Sequence, residues 1–182
     1  MNNAEPLAQK VAAELHFIEE PLTPTHPDNA VEVLLPFVKY FCPQAEFLMI
    51  GIEASLRAYH WGQQIAHFAQ DYAKSVVVVG STDLTHYGPN YNWQPMGSGK
   101  VAIDWVRNVN DRGFIDAILE KDAQGAVEHA LQQQSACCPG AAVAALGAAD
   151  SLAANHPELI THYLSCDVQT SDSFVGYGAI AL

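Results

Sequence analysis

A run of four valines that leads into a cluster of polar side chains most constrains the fold of this chain. Val76 to Val79 precede Gly80, and five polar residues follow within six positions, namely Ser81, Thr82, Asp83, Thr85 and His86. Because β-branched residues crowd a helix and suit a strand, the run is predicted to be a strand buried on both faces, with a buried helix segment as the alternative. Open α/β sheets bind ligands at the carboxyl ends of their strands, so the polar cluster predicts a functional site.

Asp83 and His86 are the candidate catalytic residues of this cluster. They are three positions apart, so one helical turn would place both side chains on the same face. An aspartate can fix the tautomer of a histidine that acts as a base or as a metal ligand. The alternative is a capped loop in which Asp83 satisfies backbone donors and His86 has no special role.

The pattern around the valine run predicts a single three-layer α/β domain over residues 1–182. Phe47 to Ile52 is a second strand candidate, and apolar residues at helical spacing from Ala58 to Tyr72 predict a helix that joins it to the valine strand. Such a strand–helix–strand unit is expected to cross over right-handed, with Val76–Val79 at the centre of the sheet.

Cys137 is the third candidate catalytic residue because a helix is predicted to begin just after it. Pro139 suits a first helical position, which makes Cys138 the cap, and the small residues from Ala141 to Ala154 continue the helix. A thiolate is favoured at the positive end of a helix, so Cys137 is a candidate reactive or metal-ligating residue. The alternative is a packing role, since free cysteines are commonly inert core residues.

Charge and composition exclude several classes of function. The net charge of −12 at pH 7 argues against nucleic acid and anionic membrane surfaces as partners. No apolar run approaches the roughly 20 residues of a membrane span, and the first residues lack a signal-peptide pattern, so a cytoplasmic location is expected. The spacing of the four cysteines fits neither a zinc knuckle nor a disulfide framework, which favours a reducing compartment.

Several motifs taken together resemble the Memo-like family, known in microbes as AmmeMemoRadiSam system protein B. The matching segments, in chain order, are VEVLLPF at residues 31–37, STDLTHYG at 81–88, DRGFIDAI at 111–118, ACCPGA at 136–141 and DSFVGYGA at 172–179. The resemblance covers nearly the whole chain, from about Pro6 to Leu182. It implies a fold related to the class III extradiol ring-cleaving dioxygenases, with a central mixed, mostly parallel sheet flanked by helices.

The resemblance also implies a metal site. In the dioxygenases two histidines and a glutamate hold a non-haem iron, and in Memo-like proteins two histidines and a cysteine occupy the corresponding cleft. Carried over, Cys137 is that cysteine, and Asp83 and His86 are the pair beside it. The family's first histidine lies in a P-H-A-G-Y motif that this chain lacks, so an N-terminally short form of the domain is expected. Asn29 stands where the second histidine is expected, which leaves His86 and the nearby His26 as further candidate metal ligands.

Three functions follow as hypotheses. The first is a dioxygenase-like redox enzyme that holds iron or copper, with zinc as a third choice, at Cys137 and His86. The second is a non-catalytic member that binds a small molecule, a peptide or a protein in the same cleft, and here the resemblance implies links to radical SAM and AMMECR-type proteins. The third is a hydrolase that pairs Cys137 with His86 at hydrogen-bond distance. An N-terminally short domain would leave apolar sheet surface uncovered, so a homo-oligomer or a companion chain is also expected.

Overall fold

The part of the chain that the structure describes folds into helices and two small sheets, an α/β arrangement. The computed structural model describes residues 2–18, 29–73, 75–154 and 156–182. The helices there are α1 (Glu5–Leu15), α2 (Asn29–Glu32), α3 (Leu35–Phe41), α4 (Arg57–Tyr72), α5 (Lys100–Trp105), α6 (Asp111–Leu119), α7 (Ala123–Gln133), α8 (Pro139–Ser151) and α9 (Ser165–Val168). The strands are β1 (Asn2–Asn3), β2 (Glu46–Phe47), β3 (His86–Tyr87), β4 (Glu158–Leu164) and β5 (Phe174–Ala181). None of the described helices has the length and apolar content needed to cross a membrane.

Helices α4 and α8 pack closely because small residues line their contact. A Cβ added at Gly62 of α4 would lie 1.9 Å from the carbonyl oxygen of Ala144, and one added at Gly147 would lie 2.0 Å from that of Tyr59. Ala58 and Ala66 are completely buried on the same side of α4. This contact fixes the start of α8, where a Cβ on Gly140 would lie 2.2 Å from the carbonyl oxygen of Glu53.

Helix α8 begins where the sequence predicts, and α7 begins at a capping residue of the same kind. The Asp122 carboxylate caps α7 by accepting a hydrogen bond of 2.8 Å from the amide of Gly125, and Pro139 opens α8 with Cys138 at the cap position. Between α5 and α6 the helix widens into a π-helical turn over Val106–Asn110. π-helical turns are rare and occur frequently at functional sites.

Two sheets hold the strands. β1 and β2 pair in parallel, whereas the other three strands form an antiparallel sheet in the order β3-β5-β4. The last two strands of the chain, β4 and β5, therefore pair with each other. β3 joins their sheet through His86 opposite Val175 and Tyr87 opposite Phe174. The three-layer arrangement around a central sheet stays a prediction.

The prediction that Val76–Val79 form a buried strand is wrong for the described residues. Val77 and Val79 are 84% and 64% exposed, and residues 76–80 have no regular secondary structure. A strand is completed by backbone hydrogen bonds to a neighbouring strand, and no described residue supplies such a bond to residues 75–82. The predicted strand over Phe47–Ile52 is likewise reduced to β2, so the strand–helix–strand unit is not formed.

One valine of this run does contribute to the core. Val76 packs with Leu48 and Ile50 in a small cluster that also contains Val11 of α1 and Ala69 of α4. The segment is therefore attached to the domain along one side only. Its remaining valines leave an apolar surface open to solvent.

Replacing Gly62 by alanine is expected to destabilise the fold. The new methyl group would overlap the Ala144 carbonyl, a backbone atom that a rotamer change cannot move, so the free energy of unfolding should fall by about 1–3 kcal/mol. Urea unfolding measures this change.

Gly51→Ala is the matched control for this substitution. A Cβ at Gly51 meets nothing within 4 Å, so the free energy of unfolding should stay within about 0.5 kcal/mol of the unsubstituted value. Equal stability of the two variants would contradict the close α4–α8 contact.

Candidate functional site

The polar segment after the valine run is held between α8 and β5. A Cβ at Gly80 would lie 2.5 Å from the carbonyl oxygen of Ala141, so glycine lets the chain pass directly over the first turn of α8. Farther along, Leu84 donates its amide to the Gly176 carbonyl at 3.0 Å, and Gly176 returns its own amide to the Thr85 carbonyl at 2.9 Å. These bonds lead the segment into β3, which begins at His86.

The Cys137 turn is tied to the same segment. The amide of Cys137 donates to the Asp83 carbonyl at 3.1 Å, and the amide of Cys138 donates to Thr82 Oγ1 at 2.9 Å. The Cys137 Sγ lies 3.7 Å from Thr82 Oγ1 and 3.6 Å from the Cys138 Sγ. Backbone and side-chain bonds thus bring residues 82–83 and residues 137–138 together although they are more than fifty positions apart in sequence.

Asp83, His86 and Cys137 form one cluster, as the sequence predicts. One ligand atom from each side chain can be chosen so that all three atoms lie within 4.8 Å of one another. His86 Nε2 and Asp83 Oδ2 are 3.1 Å apart, and their side chains are 35% and 45% exposed. Cys137 is exposed. The helical turn predicted to align Asp83 with His86 is absent, and the pair instead meets where an irregular segment enters β3.

The donor atoms fit a single metal ion. Bonds of roughly 2.0–2.3 Å from zinc or a similar ion to nitrogen, oxygen and sulfur place its ligand atoms roughly 3–4 Å apart. The observed separations reach that range with small side-chain rotations, which the exposure of all three groups permits. A thiolate, an imidazole and a carboxylate together suit iron, copper or zinc, whereas magnesium and calcium prefer oxygen ligands.

Tyrosines flank the cluster on the face of the antiparallel sheet that His86 shares. The Tyr91 ring packs against the His86 imidazole with 4.8 Å between ring centroids. Tyr163 and Tyr177 lie opposite each other on β4 and β5, with centroids 5.6 Å apart. Burial raises the pKa of the Tyr177 phenol, and the nearby negative charge of Asp83 raises it further. Tyr177 therefore stays protonated at neutral pH, as a hydrogen-bond donor beside the site.

Two aromatic residues of the loop that follows His86 pack in the core. Tyr87 is 1% exposed and stacks on Phe174 at 5.1 Å, and the half-buried Trp93 packs against the same cluster. Tyr87 is buried because it faces the side of the sheet opposite His86. Tyr91 remains exposed at 42%.

The two remaining candidate positions, His26 and Asn29, lie before α2 and at its first residue. His26 lies outside the described residues. The backbone at Asn29 begins α2, and the Ser81 hydroxyl donates a hydrogen bond to the carbonyl oxygen of the next residue, Ala30. The start of α2 therefore lies beside the segment that carries Asp83.

The sequence interpretation passed over three residues that the structure places at or beneath the cluster. Thr82 links the two ligand-bearing turns, Tyr177 lies on the face of the sheet that His86 shares, and the buried Asp111 accepts the Thr85 amide proton. For Thr82 the available signal was its position directly before Asp83, and for Tyr177 the alternation of residues along β5. Asp111 carried no local signal of burial, because an aspartate at a helix start ordinarily faces water.

Comparison with known proteins supports one family for this chain. The family model described as "Memo-like protein" matches residues 3–181. A MEMO1 family protein of Methanococcoides burtonii is 30% identical over 157 residues, which cover 84% of this chain and 54% of that protein. One from Pyrococcus abyssi is 27% identical over 163 residues, covering 85% and 56%, and one from Methanopyrus kandleri is 28% identical over 169 residues, covering 90% and 54%.

The chain spans about half the length of these curated relatives, and the match extends almost from one end of the chain to the other. The matched region contains every residue of the Asp83–His86–Cys137 cluster. The chain belongs to the Memo-like family.

Proposed function

We propose that this protein binds a redox-active metal ion at Asp83, His86 and Cys137 and acts with it on a small molecule or peptide. The observation that carries the proposal is the convergence of three ligand atoms of different chemistry within 4.8 Å. Iron and copper are the expected ions, and zinc would fit the same donors. When bound, such an ion would supply electron transfer or activation of a coordinated ligand, the dioxygenase-like chemistry that the family resemblance implies.

The chain's own residues prepare the site for this role. His86 Nε2 now donates its proton to the Asp83 carboxylate, and that proton must leave before the nitrogen can bind an ion. Exchange with solvent can place the remaining imidazole proton on Nδ1, which leaves Nε2 and the ionised Asp83 carboxylate both able to act as ligands. Three protein ligands leave further coordination positions open toward solvent, where a substrate could bind.

A cleft beside the tyrosines offers space for that substrate. It has a volume of about 470 Å³ and is lined by Tyr163, Ser165, Val168, Gln169, Ser171, Ser173 and Tyr177. Two aromatic faces and several uncharged polar groups suit a small molecule or peptide with a flat apolar part. Tyr177 lies two residues along β5 from Val175, the residue opposite His86, so one wall of the cleft is on the same face of the sheet as His86.

The geometry favours metal binding over a hydrolase that pairs Cys137 with His86. In the described residues, Cys137 Sγ is hydrogen-bonded to Thr82 and Cys138, and His86 Nε2 is bonded to Asp83. A nucleophile must contact its base directly, whereas a metal ion can bridge groups that are farther apart. The predicted cytoplasmic location would keep Cys137 reduced and able to bind the ion.

A second candidate function is a binding role in an assembly, which the exposed valines favour. Val77 and Val79 expose apolar side chains, and none of the described residues pairs with their backbone; these are the features of a segment that adds to a strand of another polypeptide. We propose a homo-oligomer in which the Val76–Val79 segment of one copy pairs as a strand with another copy. Such pairing would create a larger sheet between helices, as a three-layer arrangement requires. Radical SAM and AMMECR-type proteins are the further partners that the family resemblance suggests.

Metal analysis of protein purified without an affinity tag tests the first proposal. We expect about one equivalent of iron, copper or zinc per chain, and a loss of most of it in Cys137→Ser because a serine hydroxyl is a poor ligand for these ions. Cys42→Ser, which changes an exposed cysteine of α3's C-terminal end, should keep the metal. Protein without metal, and without uptake of added Co²⁺ or Zn²⁺, would contradict the proposal.

Alkylation at pH 7 is expected to label Cys137 faster than the other three cysteines. Cys137 is exposed in the turn just before α8, so the reagent can reach its sulfur directly. Cys166 should react slowly, because burial and then the charge of Asp167 raise the pKa of its thiol. A short iodoacetamide pulse followed by mass spectrometry measures the order, and added Zn²⁺ should protect Cys137 without protecting Cys42. If Cys137 is the slowest of the four, it is a packing residue.

Substitution of the exposed valines tests the assembly. We expect light scattering to show an oligomer for the unsubstituted chain and a smaller species for Val77→Lys combined with Val79→Lys, because buried ammonium groups oppose pairing. Val101→Lys is the control, since Val101 is 65% exposed on α5. A monomer at micromolar concentration without substitution would exclude the homo-oligomer.

A further inference from the structure

A buried carboxylate lies directly beneath the candidate ligands. Asp111, the first residue of α6, is completely buried, and its Oδ1 accepts the amide proton of Thr85 at 3.0 Å. Its Oδ2 accepts a proton from His162 Nε2 at 2.8 Å, and the His162 side chain is itself only 11% exposed. Gly176 leaves room for this carboxylate, because a Cβ there would lie 2.0 Å from Oδ2.

The neighbouring Asn110 binds the same segment from a second direction. Its side-chain amide donates to Thr85 Oγ1 at 2.9 Å and to the Gln133 carbonyl at 3.0 Å. Gln133 is the last residue of α7, four positions before Cys137. Asn110 therefore connects the segment that carries Asp83 and His86 to the segment that leads to Cys137.

We infer that Asn110 and Asp111 are positioning residues that hold the three metal ligands in register. Thr85 lies between Asp83 and His86, and its amide, hydroxyl and carbonyl groups are all hydrogen-bonded. Once Thr85 is fixed, the places where the Asp83 and His86 side chains leave the backbone are fixed as well. This inference rests on the proposed metal site and adds to it residues that do not touch the ion.

A stable fold alone would not require a buried carboxylate at position 111. A buried carboxylate loses its hydration, and well-packed apolar residues at such positions are often at least as stabilising. Asp111 is accommodated here only because Thr85, His162 and the space above Gly176 all suit it. Ligands held to within about 0.5 Å need this kind of support when they are themselves exposed to solvent. The π-helical turn just before Asp111 directs Asn110 and Asp111 toward one residue, Thr85.

Co²⁺ binding by Asp111→Asn and Asp116→Asn separates positioning from general stability. Asp116 is also on α6, but it is half-exposed and pairs with Arg112 on the surface. We expect Asp111→Asn to weaken Co²⁺ affinity by about 10–100-fold, as substitutions in the outer shell of metal sites do. Its Co²⁺ absorption spectrum should also show altered ligand geometry. Asp116→Asn should bind with unchanged affinity and spectrum, and equal behaviour of the two variants would overturn the inference.

Substitutions of Thr85 provide a second measurement if Asp111→Asn fails to fold. Thr85→Val keeps the shape and the backbone bonds but removes the acceptor for Asn110, whereas Thr85→Ser retains that acceptor. We expect weaker Co²⁺ binding and a changed spectrum in Thr85→Val, with recovery of both in Thr85→Ser. Equal Co²⁺ affinity in both variants would exclude a role for the Asn110 bond.

Amide hydrogen exchange measured without metal tests the positioning role of Asn110 independently of whether the protein binds a metal ion. The Cys137 amide, which is bonded to the Asp83 carbonyl, should exchange faster in Thr85→Val than in Thr85→Ser, while amides of α4 exchange alike. If Co²⁺ does not bind the unsubstituted protein but this difference appears, the metal proposal fails and the positioning network stands. If Co²⁺ binds and the exchange rates do not differ, the network does not hold the ligands.

Discussion

The close approach of α4 and α8 is the contact on which the candidate site depends. Glycine and alanine let the two helix backbones meet around Gly62 and Ala144, and the same packing brings Gly140 against the Glu53 carbonyl. The start of α8 is thereby fixed relative to the rest of the domain, and Cys137 lies two residues before that start. A larger residue at the contact would move the thiol away from the other ligands as well as loosen the core.

Hydrogen bonds then fix the polar segment at residues 82–86 relative to the start of α8. The bonds from Cys137 to the Asp83 carbonyl and from Cys138 to Thr82 are local, and they alone would leave His86 free to shift. The pairing of His86 with Val175 on β5 and the buried contacts of Thr85 supply the missing constraint. Helix packing thus places the thiol, while the antiparallel sheet and its buried polar groups place the imidazole and the carboxylate.

The start of α8 was predictable because it depends on a local signal, whereas the grouping of Cys137 with Asp83 and His86 was expected mainly from the family resemblance. Pro139 marks a helix start by chemistry that acts within a few residues, and the structure confirms it. The Asp122 cap of α7 is a signal of the same local kind. The strand at Val76–Val79 was predicted wrongly because β-branched residues indicate only that a strand is favoured locally, whereas pairing requires another strand at the right place. Burial of Asp111 was not predictable either, since it depends on His162 and Gly176, which are more than fifty positions away.

The exposure of the three ligands explains why the buried groups beneath them matter. Asp83, His86 and Cys137 must remain open to solvent if an ion and a substrate are to reach them, so their side chains gain little rigidity from packing. Rigidity has to come from the backbone, and backbone groups are held most firmly where their hydrogen bonds are shielded from water. Thr85 provides this rigidity, because it is completely buried and its hydrogen bonds are shielded from water. The side chains of its neighbour His86 and of nearby Asp83 are partly exposed and can reach an ion.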